Sequence, residues 1–295
     1  NKENLTFREM LAHQAGLTAW IPYWKDAVNK EGNFRKQVFR RDSSQKYPYK
    51  VANHLYLKED YRKKIFRAIK KSPVLKEKKY LYSGLSFYLY PTIIEKITGS
   101  DYQEYLKENF YHPLGAFTLT YMPQQYYPLH RVVPTEYDFP FRGEIIHGKV
   151  HDEGAAMMNG VSANAGLFGT SNDLAKLFQM YLNMGEYGGK RYISENTLRE
   201  FTKYQFPENE NRRGLGFDKP QLEYDANGTA AKDASKESFG HTGYTGGRAW
   251  ADPKHQLVYI FLSNRVHPSR ENTRLYKLNT RTNIEQVIYD SFLTK

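Results

Sequence analysis

The sequence predicts an α+β fold: an antiparallel sheet near the C-terminus, flanked by helices and preceded by a mostly helical lobe. Three observations carry this expectation. From Phe239 to Leu262, β-branched and aromatic residues surround an Asp252-Pro253 turn, as in two adjacent antiparallel strands. Apolar residues recur at helical spacing at Leu89, Ile93, Ile94 and Ile97, and again at Leu174, Leu177, Phe178, Tyr181 and Leu182. No dinucleotide or phosphate-loop fingerprint and no internal repeat points to a parallel or solenoid architecture. Residues 1–205 then read as helices and loops, and 206–295 as strands and a closing helix, within a single domain.

Taken in order, Leu5–Ala12 reads as a short helix capped by Thr6, with Glu9 completing a capping box and Gly16 ending it. His13 is expected to be buried and hydrogen-bonded at that helix end. Residues 20–56 are polar, aromatic and irregular, as in an insertion or lid. A basic helix follows, in which Ile65, Phe66 and Ile69 lie on one face and Arg62, Lys63, Lys64, Arg67, Lys70 and Lys71 are solvated. Gly84 punctuates the start of the apolar helix that stops at Gly99. That places Tyr82 where a helix dipole would favour a phenolate, although the ring taken alone reads as packing. Residues 110–137 read as loops. His147 and His151 are four apart, but Gly148 disfavours a helix and no third ligand is placed, so they do not make a metal site. The small residues of 160–169 must pack against another backbone and lead into the helix capped by Ser171, Asn172 and Asp173. A helix capped by Ser194, an edge strand at Gly214–Phe217, a mobile connection at 225–238 and a closing helix at 283–292 complete the chain.

The 295 residues suffice for a sizeable core, and an aromatic content of 15% requires a packed interior or a ring-lined cleft. With no cysteine there is no disulfide, thiolate metal site or cysteine nucleophile. No run of 18 apolar residues marks a transmembrane span. The net charge of +11 comes without a nucleic-acid motif and does not identify nucleic acid as a partner. Glycines 240, 243, 246 and 247 bring a backbone close to something. Either that strand borders a cleft and offers N–H groups, the Thr242 hydroxyl and the His241 imidazole to a ligand, or its glycines let a helix pack close.

Four stretches in this order resemble the serine beta-lactamase and penicillin-binding protein family, in its class C, D-aminopeptidase and esterase branch. They are Leu5–Leu17, Tyr82-Ser83-Gly84, Ala165-Gly166-Leu167-Phe168 with the helix after it, and His241-Thr242-Gly243 with the strand to Asn264. Residues 263–268 are similar to modules fused behind bacterial glycoside hydrolases. The resemblance implies a beta-lactamase/transpeptidase-like fold with the site between a helical lobe and an antiparallel sheet. It implies Tyr82 as general base, and His241 and Thr242 as holders of a substrate carboxylate. Ser83, Gly84, Gly243, Tyr244 and Thr245 would touch substrate, the last three region's backbone giving an oxyanion donor. No cofactor or metal is implied. The family's nucleophile lies in a Ser-x-x-Lys helix before the stretch matched by Leu5–Leu17, and that helix is absent from this chain, which is therefore expected to be truncated. The one Ser-x-x-Lys spelling, Ser43–Lys46, runs into Tyr47-Pro48 and is a decoy. Without the lysine, Tyr82 is expected to stay protonated, with His241 a weak substitute. Gly84, where many relatives carry Asn, weakens lactam recognition in particular.

The functional expectation is a serine hydrolase module acting on a beta-lactam, D-amino-acid peptide or ester and inactive as this fragment. The alternative is a non-catalytic domain binding cell-wall peptide or a partner. A peptidoglycan-derived or other small-molecule substrate, a bacterial envelope or periplasmic location, and association with the missing N-terminal segment or a fused glycoside hydrolase follow as expectations. An unpaired sheet edge and an open helix socket would leave the chain marginal or self-associating.

Overall fold

The computed structural model describes residues 1–293. Helix α1 (Phe7–Leu11) opens with the expected capping box, the Thr6 hydroxyl accepting from Glu9 N–H and Glu9 reaching back. It stops before Gly16: His13 already takes a left-handed conformation with φ 56°. Strands β1 (Phe39–Arg40), β2 (Tyr49–Ala52) and β3 (Leu55–Leu57) form a sheet in the order β1-β3-β2. Short strands thus punctuate residues 20–56, the rest of which is largely turns and loops as expected. Tyr23, Val38, Phe39 and Val51 from this segment are buried in one core with Leu57, Ile65 and Ile69. Burying that many apolar groups is what orders the segment. Helix α2 (Tyr61–Lys71) turns Ile65 and Ile69 inward, as its periodicity requires.

Residues 79–84 belong to no helix or strand, and a single 3₁₀ turn at Ser86–Tyr88 separates them from α3 (Tyr90–Thr98), which Gly99 closes with φ 73°. Tyr82 therefore lies four residues before that 3₁₀ turn and eight before the first residue of α3. Helix α4 (Tyr102–Leu106) precedes the hairpin of β4 (Pro134–Tyr137) and β5 (Ile145–His147) and the short α5 (Glu153–Ala156). Within the small-residue segment, a Cβ on Gly166 would lie 2.7 Å from the Gly160 carbonyl oxygen. Phe168 exchanges both backbone hydrogen bonds with Thr120, at 2.9 and 3.0 Å.

Helix α6 (Ser171–Leu182) is capped by Thr170, one residue earlier than expected. The small hairpin of β6 (Glu186–Tyr187) and β7 (Lys190–Arg191) leads to α7 (Glu195–Thr202), capped by Ser194. Gly214–Phe217 is not a strand; pairing begins only at Asp218, which bridges Gly240. The stretch read as two strands is three: β8 (Phe239–Thr242), β9 (Arg248–Asp252) and β10 (Leu257–Phe261), antiparallel in the order β10-β9-β8. The extra break is the tight turn Gly243–Gly247, closed by Gly243 N–H to Gly247 O at 2.8 Å, with Gly246 at φ 123°. Only glycine holds that conformation readily.

All five residues of β9 are buried, because α6 covers one sheet face and α9 (Thr280–Leu293) the other, with α8 (Arg274–Lys277) before it. Ala249 and Ala251 meet Phe178 and Leu182 of α6. Arg248, Trp250 and Asp252, alternating with them, face α9: Arg248 pairs with Glu285 at 2.6 Å, and Tyr289 donates to Asp252 at 2.7 Å. The connection 225–238 is tied to the same side. Ala231 N–H donates to Glu285 at 3.3 Å, and the Ser235 N–H and hydroxyl donate to Asp252 at 2.8 and 2.6 Å. The outer edge of β10 pairs with no strand among the described residues.

Candidate active site

Three segments meet where β8 leaves the sheet. The turn after α1 and the stretch 79–84 are joined by Leu81 N–H to His13 O at 3.0 Å and Ser83 N–H to His13 Nδ1 at 3.2 Å. Asn211, fully buried, joins the third segment: its Nδ2 donates to Ala12 O at 2.9 Å and to Gln14 Oε1 at 2.8 Å, while its Oδ1 accepts Arg213 N–H at 2.9 Å. The Asp218–Gly240 bridge then sets this third segment against β8.

The side chains so gathered are Tyr82, His241, His13, Tyr80 and Arg213. The rings of His13 and Tyr82 lie 4.3 Å apart, and those of Tyr82 and His241 6.2 Å. Arg213 sits between them with its guanidinium 5.1 Å from the Tyr82 ring, donating from Nη1 to His241 Nε2 at 3.0 Å. Its Nε and Nη2 reach the Tyr80 hydroxyl at 3.4 and 3.3 Å. Behind it Asp218 accepts from Arg212 Nη2 at 3.2 Å and lies 3.5 Å from Arg213.

Burial, followed by the charges of Arg213 and His241, drives His13 down to about 3, so it is neutral and its Nδ1 lone pair is free to accept from Ser83. Burial and then Arg213 also push His241 down. Although 47% of the Tyr82 surface is exposed, its surroundings desolvate the phenol and push it up, against the opposing charge of Arg213. The cation in this cleft is therefore Arg213, which the sequence reading missed. It lies 28 residues before His241 in a stretch that looks like a polar loop, and only the Asp218–Gly240 pairing reveals its proximity.

The other expected residues divide. Thr242 stands opposite Arg248 and His241 opposite Ala249, so their side chains leave β8 on opposite faces, and His241 Nδ1 lies 2.8 Å from the Thr242 carbonyl. Ser83 points inward, its hydroxyl donating to Thr18 O at 2.7 Å. At Gly84 the space a Cβ would enter is bordered by Asn164 Nδ2 at 3.6 Å. Gly243 N–H is spent within its turn. The N–H groups of Tyr244 and Thr245 make no hydrogen bond among the described residues, so an oxyanion donor would have to be one of these. The Tyr244 ring stacks on His151 at 5.4 Å and its carbonyl accepts from Arg265 Nε at 2.9 Å. Ser43 is exposed beside the Ser44–Tyr47 bridge and is not itself part of any helix. His147 faces the Val132 carbonyl and His151 faces Glu136, each at 2.5 Å, so the two do not converge.

The family model described as Beta-lactamase matches residues 1–282. The chain belongs to the beta-lactamase family. Within that hydrolase family it is 32% identical over 242 residues to a putative D-alanyl-D-alanine carboxypeptidase of Escherichia coli O157:H7, covering 75% of this chain and 53% of that protein. The chain thus spans about half the length of the curated relatives it matches. Among solved structures it is similar to a penicillin-binding protein homologue from Caulobacter crescentus, with TM-score 0.54, 18% identity and coverage of 90% of this chain and 66% of the other. It is similar as well to a D-stereospecific amidohydrolase from Streptomyces, with TM-score 0.51, 17% identity and coverage of 100% and 74%. At these identities the two structures speak for the beta-lactamase/transpeptidase fold alone, and they agree with the helices and antiparallel sheet described above.

Proposed function

We propose that this chain builds the tyrosine-and-strand half of a serine hydrolase cleft that works through an acyl-enzyme, on D-amino-acid peptides or esters in the bacterial cell envelope. The observation that carries the reading is the convergence of Tyr82, His241 and Arg213, with the guanidinium 5.1 Å from the Tyr82 ring and 3.0 Å from His241 Nε2. The carboxypeptidase named among its relatives supports the peptide class. The serine is supplied by a segment outside these 295 residues, consistent with relatives about twice as long as the match. In the assembled site the Tyr82 phenolate takes the serine proton as the serine oxygen attacks the acyl carbon; the C–N or C–O bond then breaks, the departing amine or alcohol takes up that proton, and water hydrolyses the acyl-serine ester to release the acid and restore the serine hydroxyl. Tyr244 or Thr245 N–H would receive the oxyanion, and Thr242 a substrate carboxylate.

The raised Tyr82 phenol favours a second reading for the chain by itself, a domain that binds cell-wall peptide or a partner without chemistry. The two are separated by a fluorophosphonate probe applied to the chain preceded by its own upstream reading frame. Labelling of an upstream Ser-x-x-Lys serine, slowed about 10²–10⁴-fold by Tyr82→Phe, supports catalysis. Absence of that serine, or no labelling when it is present, leaves the binding reading.

A further inference from the structure

The sequence points to His241 as the polar group of the strand, and the contacts around it restrict what that ring can be. Arg213, only 4% exposed, offers donors and no acceptor, so the His241 Nε2 that it faces at 3.0 Å must present a lone pair. The ring proton then lies on Nδ1, which is 2.8 Å from a group that can only accept, the Thr242 carbonyl. Both contacts select one tautomer, and an imidazolium would set N–H against N–H. The remaining charged and titratable neighbours are Asp218, Arg212 and Tyr82, with Tyr80 on the other side of Arg213 and His13 tilted against the Tyr82 ring. Two guanidinium groups face one carboxylate, which leaves a single net positive charge beside the Tyr82 ring. Arginine keeps that charge at every physiological pH.

We propose that Arg213 is a positioning residue of this cleft: it holds His241 as the neutral Nδ1–H tautomer and supplies the fixed positive charge beside Tyr82. The charge of the cleft is then constant over the range in which a free histidine titrates. The catalytic meaning rests on the serine hydrolase reading above; the tautomer and the charge do not.

The test uses the 295-residue chain labelled with ¹⁵N-histidine, the His241 signals being assigned by their loss in His241→Asn. Long-range ¹⁵N–¹H spectra of the wild type are expected to show a protonated Nδ1 and an unprotonated Nε2 that do not change between pH 8 and roughly 6, below which an ordinary histidine would be largely charged. Arg213→Met is expected to lose the fixed tautomer and raise the titration midpoint by about one pH unit, since burial still opposes protonation. Arg213→Lys, which restores the charge but not the planar fork, is expected to keep the ring neutral while mixing the tautomers. A wild-type ring protonated on Nε2, or one that titrates near 6.5 like a free histidine, overturns the proposal. So does an Arg213→Met chain, folded by circular dichroism, with unchanged His241 signals. If that variant does not fold, the wild-type titration and the lysine variant decide. Failure of probe labelling in the extended chain would overturn the hydrolase reading and leave these spectra untouched.

Discussion

Two glycines near the cleft should respond in opposite ways to one added methyl. A Cβ on Gly240 would sit 2.2 Å from the Ala249 carbonyl oxygen and 2.5 Å from the Trp250 ring, neither of which can withdraw from the middle of the sheet. Gly240→Ala is therefore expected to cost at least ~3 kcal/mol, at or beyond the upper end of ordinary overpacking. At Gly84 the same methyl meets Asn164 Nδ2 at 3.6 Å, an ordinary contact, so Gly84→Ala should leave stability unchanged or raise it by up to ~1 kcal/mol. Urea unfolding of both variants checks the pair. Single residues are also where the sequence was most and least informative. The capping box of Thr6 and Glu9 could be read because its partners are three residues apart. Arg213 could not, because its partners Tyr80, Tyr82 and His241 are set by strand pairing and by the buried Asn211, neither of which leaves a local pattern.

Among the elements, β9 holds a buried ion pair to the C-terminal helix. Arg248 and Glu285 are 1% and 0% exposed at 2.6 Å, and the guanidinium also lies 4.1 Å from the Trp250 ring. Glu285→Ala strands a buried cation and should cost about 3–5 kcal/mol, whereas Arg248→Met with Glu285→Leu should recover much of it. Equilibrium denaturation of the single and double variants measures the difference. The helices were readable from their periodicity and caps, as Ile65 and Ile69 in α2 and Ser194 before α7 show. Strand boundaries were less so. Four glycines within eight residues fit one loose strand as well as a strand, turn and strand, and the choice is made by Gly246 closing over Ser263. The sheet β1-β3-β2 was invisible for another reason: its strands are two to four residues long, too short to show alternation, and share a core with residues as distant in sequence as Tyr88, Phe141 and Met157.

For the whole molecule, stability should depend on acid through its neutral histidines before its carboxylates. His13 and His241 are bases held below their unfolded value, so the unfolded chain takes up their protons first. Their contribution is complete above about 6.5 and falls as pH drops, by about 1.4 kcal/mol per pH unit for His13 until its folded value of about 3 is reached. Burial pushes the Asp218 carboxyl up, but the Arg213 and Arg212 charges together outweigh it and hold it below its usual range. Its contribution therefore persists above the unfolded value of about 3.9 and is lost as pH falls through the lower folded one. Unfolding midpoints at pH 7.5, 6 and 5 should decline, and His13→Gln should flatten that decline if the variant folds.

Asp252 ties the far side of the sheet together. One carboxylate accepts from Ser235 N–H and hydroxyl, from the Tyr289 hydroxyl and from the N–H groups of Lys254 and His255, at 2.6–3.3 Å. The connection, the β9–β10 turn and the last helix thus share a single acceptor, so none can leave it without exposing the others' partner. Their slow amide protons should exchange with solvent as one group, at a common rate, and Asp252→Asn should release that group together while amides of α2 keep theirs.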